Sequence, residues 1–144
     1  VIRYIDGTVI RKNADKINTP KVLIPKAYGA GESFPHQILG KPEIASGNSV
    51  CSQSYLFVSL PTIQEANNFV KYIKSKFLRI LVSAAKLSQD AMSKVYRFVP
   101  LQDFTAGSDI DWSKSVEEID AQLYAKYNLS DEEVAFIESM IKPM

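Results

Sequence analysis

The longest run of helical spacing in the chain lies between residues 62 and 87. Thr62 stands three residues before Glu65, the spacing of an N-terminal capping box in which the threonine hydroxyl accepts a hydrogen bond from the Glu65 amide. The apolar residues that follow keep the spacing of one helix face, and they are Ala66, Phe69, Val70, Ile73, Phe77, Ile80, Leu81 and Ala84. The pattern predicts one long helix over about 62–87, or two abutting helices with a break within 75–77.

Short strand-like segments lie on both sides of this helical region. The apolar run 21–24 is closed by Pro25, a residue that ends strands. Residues 50–59 and 94–99 are rich in β-branched and aromatic side chains, which favour strands. Near the N-terminus, Asp6-Gly7 is a turn dipeptide between short apolar runs and predicts a hairpin. Together these segments predict a small mixed sheet.

Two capping boxes organise the C-terminal third of the chain. Ser115 precedes Glu118, and Ser130 precedes Glu133, each at the three-residue spacing that satisfies the first amides of a helix. Asn128, between them, is a residue type that ends helices in the left-handed conformation. The pattern predicts a helical hairpin over about 115–142. The predicted class is therefore α+β, and a length of 144 residues suits one domain over 1–144.

The net charge of +1 hides a strong asymmetry along the chain. Residues 1–100 hold 14 Lys/Arg against 6 Asp/Glu, a net charge of +8. Residues 101–144 hold 3 Lys against 10 Asp/Glu, a net charge of −7. This split predicts a basic body, 1–100, that meets a polyanion, and an acidic helical hairpin, 101–144, that faces away from it. Ordinary solvated helix faces are the alternative explanation of the same charges.

The glycine- and proline-punctuated stretch 25–49 is long for a loop in a compact domain, which favours a functional role for it. Arg, Lys, Asn and Gln contact bases, and Lys, Arg and small polar groups contact phosphates. Such residues stand in this loop and around the strand-like run 94–99. We therefore predict DNA contacts from Lys26, Tyr28, His36, Gln37, Lys86, Gln89, Lys94 and Arg97. A solvated loop is the alternative for the histidine and the glutamine.

Motifs for covalent chemistry are missing from the sequence. The pair Gly29 and Gly31 is followed by no GxGxxG pattern, so it predicts a turn and not a cofactor loop. No Asp/Glu-x-Lys tripeptide of a metal-dependent nuclease occurs. Cys51 and His36 are the one conceivable nucleophile–base pair, but Cys51 lies in a strand-like run, where a buried apolar role is expected. We predict no catalytic, cofactor-binding or metal-binding residue in this chain.

Composition also limits the cellular compartments in which this protein is expected. No apolar run approaches the roughly 20 residues of a membrane span, and no signal peptide is recognisable. A single cysteine cannot form an internal disulfide, so a cytoplasmic location is expected. Because the chain opens on Val1 in an apolar run, we expect it to be part of a longer protein.

Several stretches resemble the C-terminal target-recognition region of bacterial restriction–modification enzymes with an adenine-specific DNA methyltransferase core, a family of bifunctional type II restriction enzyme/methylases. The runs that carry the resemblance are KVLIPKAYGAG at 21–31, PHQ at 35–37, SYLFV at 54–58, EANNFVKYIKSKFLRILV at 65–82, KLSQDAMSKVYRFVPLQDF at 86–104 and LYAKYNLSDEEVAFIESMIKPM at 123–144. The combination of VPLQDF with the C-terminal run is the most distinctive part. Residues 1–20 match less clearly.

The resemblance implies that this chain recognises a sequence in double-stranded DNA and that catalysis belongs to N-terminal methyltransferase or nuclease domains of the parent. S-adenosylmethionine, and Mg²⁺ if the parent also cleaves DNA, are then cofactors of the parent and not of this chain. No catalytic residue of the family falls on these positions. The alternative is a protein-interaction or scaffold module, in which the acidic hairpin and its aromatic residues Tyr124, Tyr127 and Phe136 dock onto the methyltransferase core without autonomous DNA binding.

Overall fold

The computed structural model describes residues 2–144 and confirms the α+β class. A three-stranded sheet is followed by four α-helices. The strands are β1 (Lys21–Pro25), β2 (Glu43–Ala45) and β3 (Tyr55–Ser59), and the helices are α1 (Ile63–Lys74), α2 (Lys76–Ala85), α3 (Val116–Lys126) and α4 (Asp131–Met140). Three short 3₁₀ helices are added at Gly7–Val9, Ala14–Lys16 and Ser93–Tyr96.

The sheet is antiparallel throughout, in the order β2-β1-β3, and is therefore not mixed as the sequence suggested. Val22 and Ile24 of β1 are buried on the face that packs on the helices. Alternation along a strand places Leu23 on the opposite face, where Phe57 of β3 is its cross-strand partner. This second face, which we call the outer face, does not pack on the helices.

The helical region 62–87 consists of two helices that meet at Ser75, the second of the two alternatives that its sequence left open. Ser75 has an extended backbone (φ −60°, ψ 145°), and its hydroxyl accepts from the amide of Leu78 as the N-cap of α2. At the start of α1, Thr62 accepts from the Glu65 amide as predicted. The Glu65 carboxylate, however, accepts from the Thr62 hydroxyl and not from its amide.

The break between α1 and α2 is stabilised by two buried ionisable side chains. Arg79 is 0% exposed and donates to the carbonyls of Lys74 and Ser75 at the C-terminus of α1. Asp120 of α3 is 3% exposed and accepts from the amides of Lys76 and Phe77 at the N-terminus of α2, both at 2.9 Å. Each charge lies at the helix end that it stabilises. Burial raises the pKa of Asp120 to about 6.

Two strand or hairpin predictions were wrong, and one predicted strand is shorter than expected. The segment 94–99 starts within the 3₁₀ helix Ser93–Tyr96, which buries Val95 against the core, so no strand forms there. The β-strand predicted over 50–59 begins only at Tyr55. Asp6 does not open a hairpin, because its carboxylate accepts from the Thr8 amide and caps the 3₁₀ helix that follows.

The two C-terminal helices form within the predicted range with both predicted capping boxes, and each of them packs on α2. Asn128 has the left-handed conformation predicted for it, with φ at 53°. Ile119 and Leu123 of α3 are fully buried in the same hydrophobic core as Val22 of β1. The acidic third of the chain therefore shares its core with the basic body.

We expect Asp120→Ala to lower the free energy of unfolding by about 1–3 kcal/mol, because it leaves two amides at the start of α2 without an acceptor. Urea denaturation near pH 8, where the carboxylate is charged, measures this loss. Asp131→Ala is the matched control, since Asp131 is exposed in the first turn of α4. Equal losses in the two variants would contradict the capping role of Asp120.

Candidate nucleic-acid interface

The residues predicted to contact DNA lie in three neighbouring places. Lys26, next to the end of β1, lines a large surface groove. A second group surrounds the carboxylate of one buried glutamate, and its members are Tyr28, His36, Gln37 and Lys86. The third group is exposed on the segment after α2 and consists of Gln89, Lys94 and Arg97. Backbone hydrogen bonds join segment 26–28 to segment 89–91, so the three places adjoin each other.

The glutamate at the centre of the second group is Glu32, whose side chain is only 10% exposed. Its carboxylate accepts from the Tyr28 hydroxyl and from the amides of Gln37 and Ile38. Burial opposes the charge of Glu32, but these hydrogen bonds together with Lys142 at 3.8 Å hold its pKa below the ordinary value. The charged carboxylate therefore fixes the conformation of the loop 26–39, which we call the anchored loop.

Lys86 fixes the same loop from the other side. Its ammonium donates to the carbonyls of Tyr28 and Ile38, both at 2.7 Å, and burial lowers its pKa. The side chain of Gln37 also turns inward and donates to the carbonyl of Leu39. In this conformation both side chains hold the anchored loop together, and direct DNA contacts by them stay a prediction.

The third group differs from the second because its side chains are exposed to solvent. Arg97 stacks on the ring of Phe98, with its guanidinium carbon 5.0 Å from the ring centroid. Lys94 belongs to the 3₁₀ helix Ser93–Tyr96, and it has no ion-pair partner among the described residues. Both cations are therefore available to a ligand.

The groove that Lys26 lines has a volume of about 930 Å³. Its lining consists of residues from the N-terminal segment 3–17, the stretch 49–53 and residues 55–57 of β3. Tyr55 and Phe57 are two residues apart on β3, so both rings lie on the outer face of the sheet. Tyr4, which is 99% exposed, lines the groove from the N-terminal segment.

The charged side chains that the described residues contribute to this groove are all cationic. Among residues 2–144, no Asp or Glu side chain lines it, whereas six cationic residues do: Arg3, Arg11, Lys12, Lys16, Lys21 and Lys26. We call this depression the basic groove. Two of its ammonium groups are already engaged, since Lys21 donates to the carbonyls of Ile17 and Thr19, and Lys16 pairs with Asp15 at 3.1 Å. The other four concentrate positive charge in a concave surface.

Cys51 and His36 are not brought to one site. Cys51 lines the basic groove, and burial raises the pKa of its thiol, which is opposite to the activation that a nucleophile needs. His36 pairs through its backbone with Ile141, at the end of the chain. Within residues 2–144, no three His, Cys, Asp or Glu side chains cluster in a manner suited to a metal ion. The described helices are also too short or too polar to cross a bilayer.

Comparisons with protein-family models, with curated proteins and with solved structures found no match to this chain.

Sequence reasoning missed the cations of the N-terminal segment and the aromatic floor of the basic groove. The signals were present, because Arg3, Arg11 and Lys12 contribute to the basic body and Tyr55 alternates with Phe57. What the sequence did not indicate is that segment 3–17 lies beside β3. Glu32 was missed for a similar reason, since its partners are identified only by the fold.

We expect Glu32→Gln to loosen the anchored loop, because an amide offers one acceptor oxygen and places its own donors against the N–H groups of Gln37 and Ile38. Hydrogen exchange of those two amides should become about tenfold faster or more. The control is Glu43→Gln, an exposed carboxylate of β2. If exchange stays unchanged, the carboxylate does not anchor the loop.

Proposed function

We propose that this chain is a DNA-binding module that recognises a sequence in the double-stranded DNA target of a restriction–modification enzyme. In this proposal it performs no catalysis. The observation that carries the proposal is the basic groove, which is lined by six Lys/Arg and, in the described part of the chain, by no carboxylate. A polyanion is the ligand class that such a surface attracts.

The position of Lys26 supports a DNA interface that continues from the basic groove to the exposed segment after α2. It lines the basic groove, while its backbone carbonyl accepts from the amide of Ala91. This bond brings the exposed segment with Lys94 and Arg97 next to the groove. Phosphates bound in the groove would place the adjoining duplex against these side chains.

In the same proposal, the anchored loop is the part of the chain that recognises the DNA sequence. Sequence recognition needs polar groups that are fixed before DNA binds, since ordering them on binding costs affinity. Glu32 and Lys86 supply that rigidity from within the loop. His36, whose side chain is about one third exposed, is the loop residue that we propose for contact with a base edge.

The resemblance to target-recognition regions is the basis of our proposal for the parent protein. We propose that the parent is an adenine-specific DNA methyltransferase, whose S-adenosylmethionine site lies in other domains. An endonuclease and its Mg²⁺ would likewise belong to those domains. A cytoplasmic location is proposed with this role, because the parent's substrate is chromosomal or invading DNA.

A second candidate function is docking onto the methyltransferase core, and one observation favours it. Between α2 and α4 lies an apolar depression of about 470 Å³, lined by Phe77, Ile80, Leu81, Leu129, Phe136 and Ile137 and flanked by Glu132 and Glu133. Phe136 is 56% exposed and adjoins the other apolar side chains of the depression, and such a contiguous apolar surface is a feature of protein-interaction sites. In this function the chain alone does not bind DNA, and Phe136→Ser abolishes its association with the core.

We expect the double variant Lys26→Gln/Lys94→Gln to weaken duplex binding about equally for all sequences. Each lost phosphate contact should reduce the slope of log affinity against log salt by about 0.9. Titrations of labelled duplex between about 50 mM and about 200 mM salt measure both quantities.

A single-charge control is Lys114→Gln, an exposed lysine of the acidic third. It should leave the affinity and the salt slope unchanged. Equal behaviour of control and double variant, or no duplex binding by the unmodified chain at low salt, would contradict the proposed function.

A further inference from the structure

The floor of the basic groove is aromatic, which a surface for phosphates alone does not require. Tyr55 and Phe57 are half-buried, lie on the outer face of the sheet and line the groove. The helices cover the other face of the sheet, so these rings are not part of the main core. Their faces are the broad apolar surfaces that the groove offers to a ligand.

A second observation is the arrangement of charge around that floor. Arg3, Arg11 and Lys12 line the groove from the N-terminal segment, and Lys26 lines it next to the end of β1, so cations and rings share one concave surface. A positively charged groove with an aromatic floor is the arrangement by which proteins bind single strands of nucleic acid. Phosphates meet the cations while bases stack on the rings.

The accessibility of the base faces distinguishes an unpaired from a paired ligand. The groove, with a volume of about 930 Å³, is large enough to hold nucleotides. In a duplex the faces of the bases are covered by their neighbours. Only an unpaired base can present its face to Tyr55 or Phe57.

We propose that the basic groove binds unpaired nucleotides of a DNA strand, with bases stacked on Tyr55 and Phe57 and phosphates held by the cations of segment 3–17. The inference rests on the proposed function in that it assumes a DNA ligand. It goes further by naming single-stranded DNA as the form that this groove takes, beside the duplex contacts of the exposed segment. Tyr4, which is 99% exposed, also lines the groove and offers a third ring to the same ligand.

The test compares the affinity of the chain for a labelled oligothymidylate of roughly 12 nucleotides with its affinity for a duplex of equal length. We expect the single strand to bind more tightly. Tyr55→Leu and Phe57→Leu, which keep an apolar side chain but remove the ring, should each weaken single-strand binding by about tenfold or more and leave duplex binding nearly unchanged. Phe136→Leu, an exposed ring on α4, is the control and should change neither.

A measurement on the unmodified chain covers the case in which a groove variant does not fold. Photocrosslinking with an oligonucleotide that carries 5-iododeoxyuridine, followed by mass spectrometry, should yield adducts within segment 3–17 or at residues 55–57. Adducts confined to other segments would overturn the inference.

The outcomes separate the two proposals. Duplex binding without single-strand preference, with both leucine variants behaving like the control, overturns the inference and leaves the proposed function standing. Binding of neither form overturns both. Preference for the single strand that is lost in Tyr55→Leu and Phe57→Leu supports the aromatic floor as the binding site.

Discussion

The guanidinium of Arg79 is the interaction on which the arrangement of the other elements depends. Besides the carbonyls at the end of α1, its Nη1 donates to the carbonyls of Gln37 and Lys142, at 3.2 and 2.8 Å. One buried side chain thus joins the break between two helices, the anchored loop and the C-terminal segment. Burial lowers the pKa of Arg79, and the nearby carboxylate of Asp120 opposes that effect. Removing the guanidinium would leave carbonyls of three separate segments without their donor.

This central position explains how the two oppositely charged parts of the chain form one structure. Asp120 comes from the acidic third and caps a helix of the basic body, while Lys142 is tied to Arg79 and lies near Glu32. The asymmetry in charge is therefore a property of the surface, not of two separable units. The core that both parts share leaves the basic groove on the outer face of the sheet, away from the acidic helices.

The elements predicted well from the sequence are those that depend on local signals. Ser115, Ser130 and Asn128 act within their own helix ends, so their roles could be derived from spacing alone. The strand predicted over 94–99 failed because burial of Val95 against α2 outweighs local strand propensity.

The candidate site was predictable only in part, for the same physical reason. Lys26 was found from its charge and its place in a loop. The partners of Glu32 and the walls of the basic groove come from segments far apart in sequence, and no local pattern brings them together. The sequence indicated that the body is basic but not that segment 3–17 lines one groove with Tyr55 and Phe57.

The most direct test of the central claim, that the basic groove is the nucleic-acid surface, is to map backbone amide shifts by NMR while DNA is added. We expect the largest shifts within residues 11–13, 26 and 51–57, and none in α4, which lies on the acidic side. Shifts confined to the depression between α2 and α4, or no shifts at saturating DNA, would contradict the account.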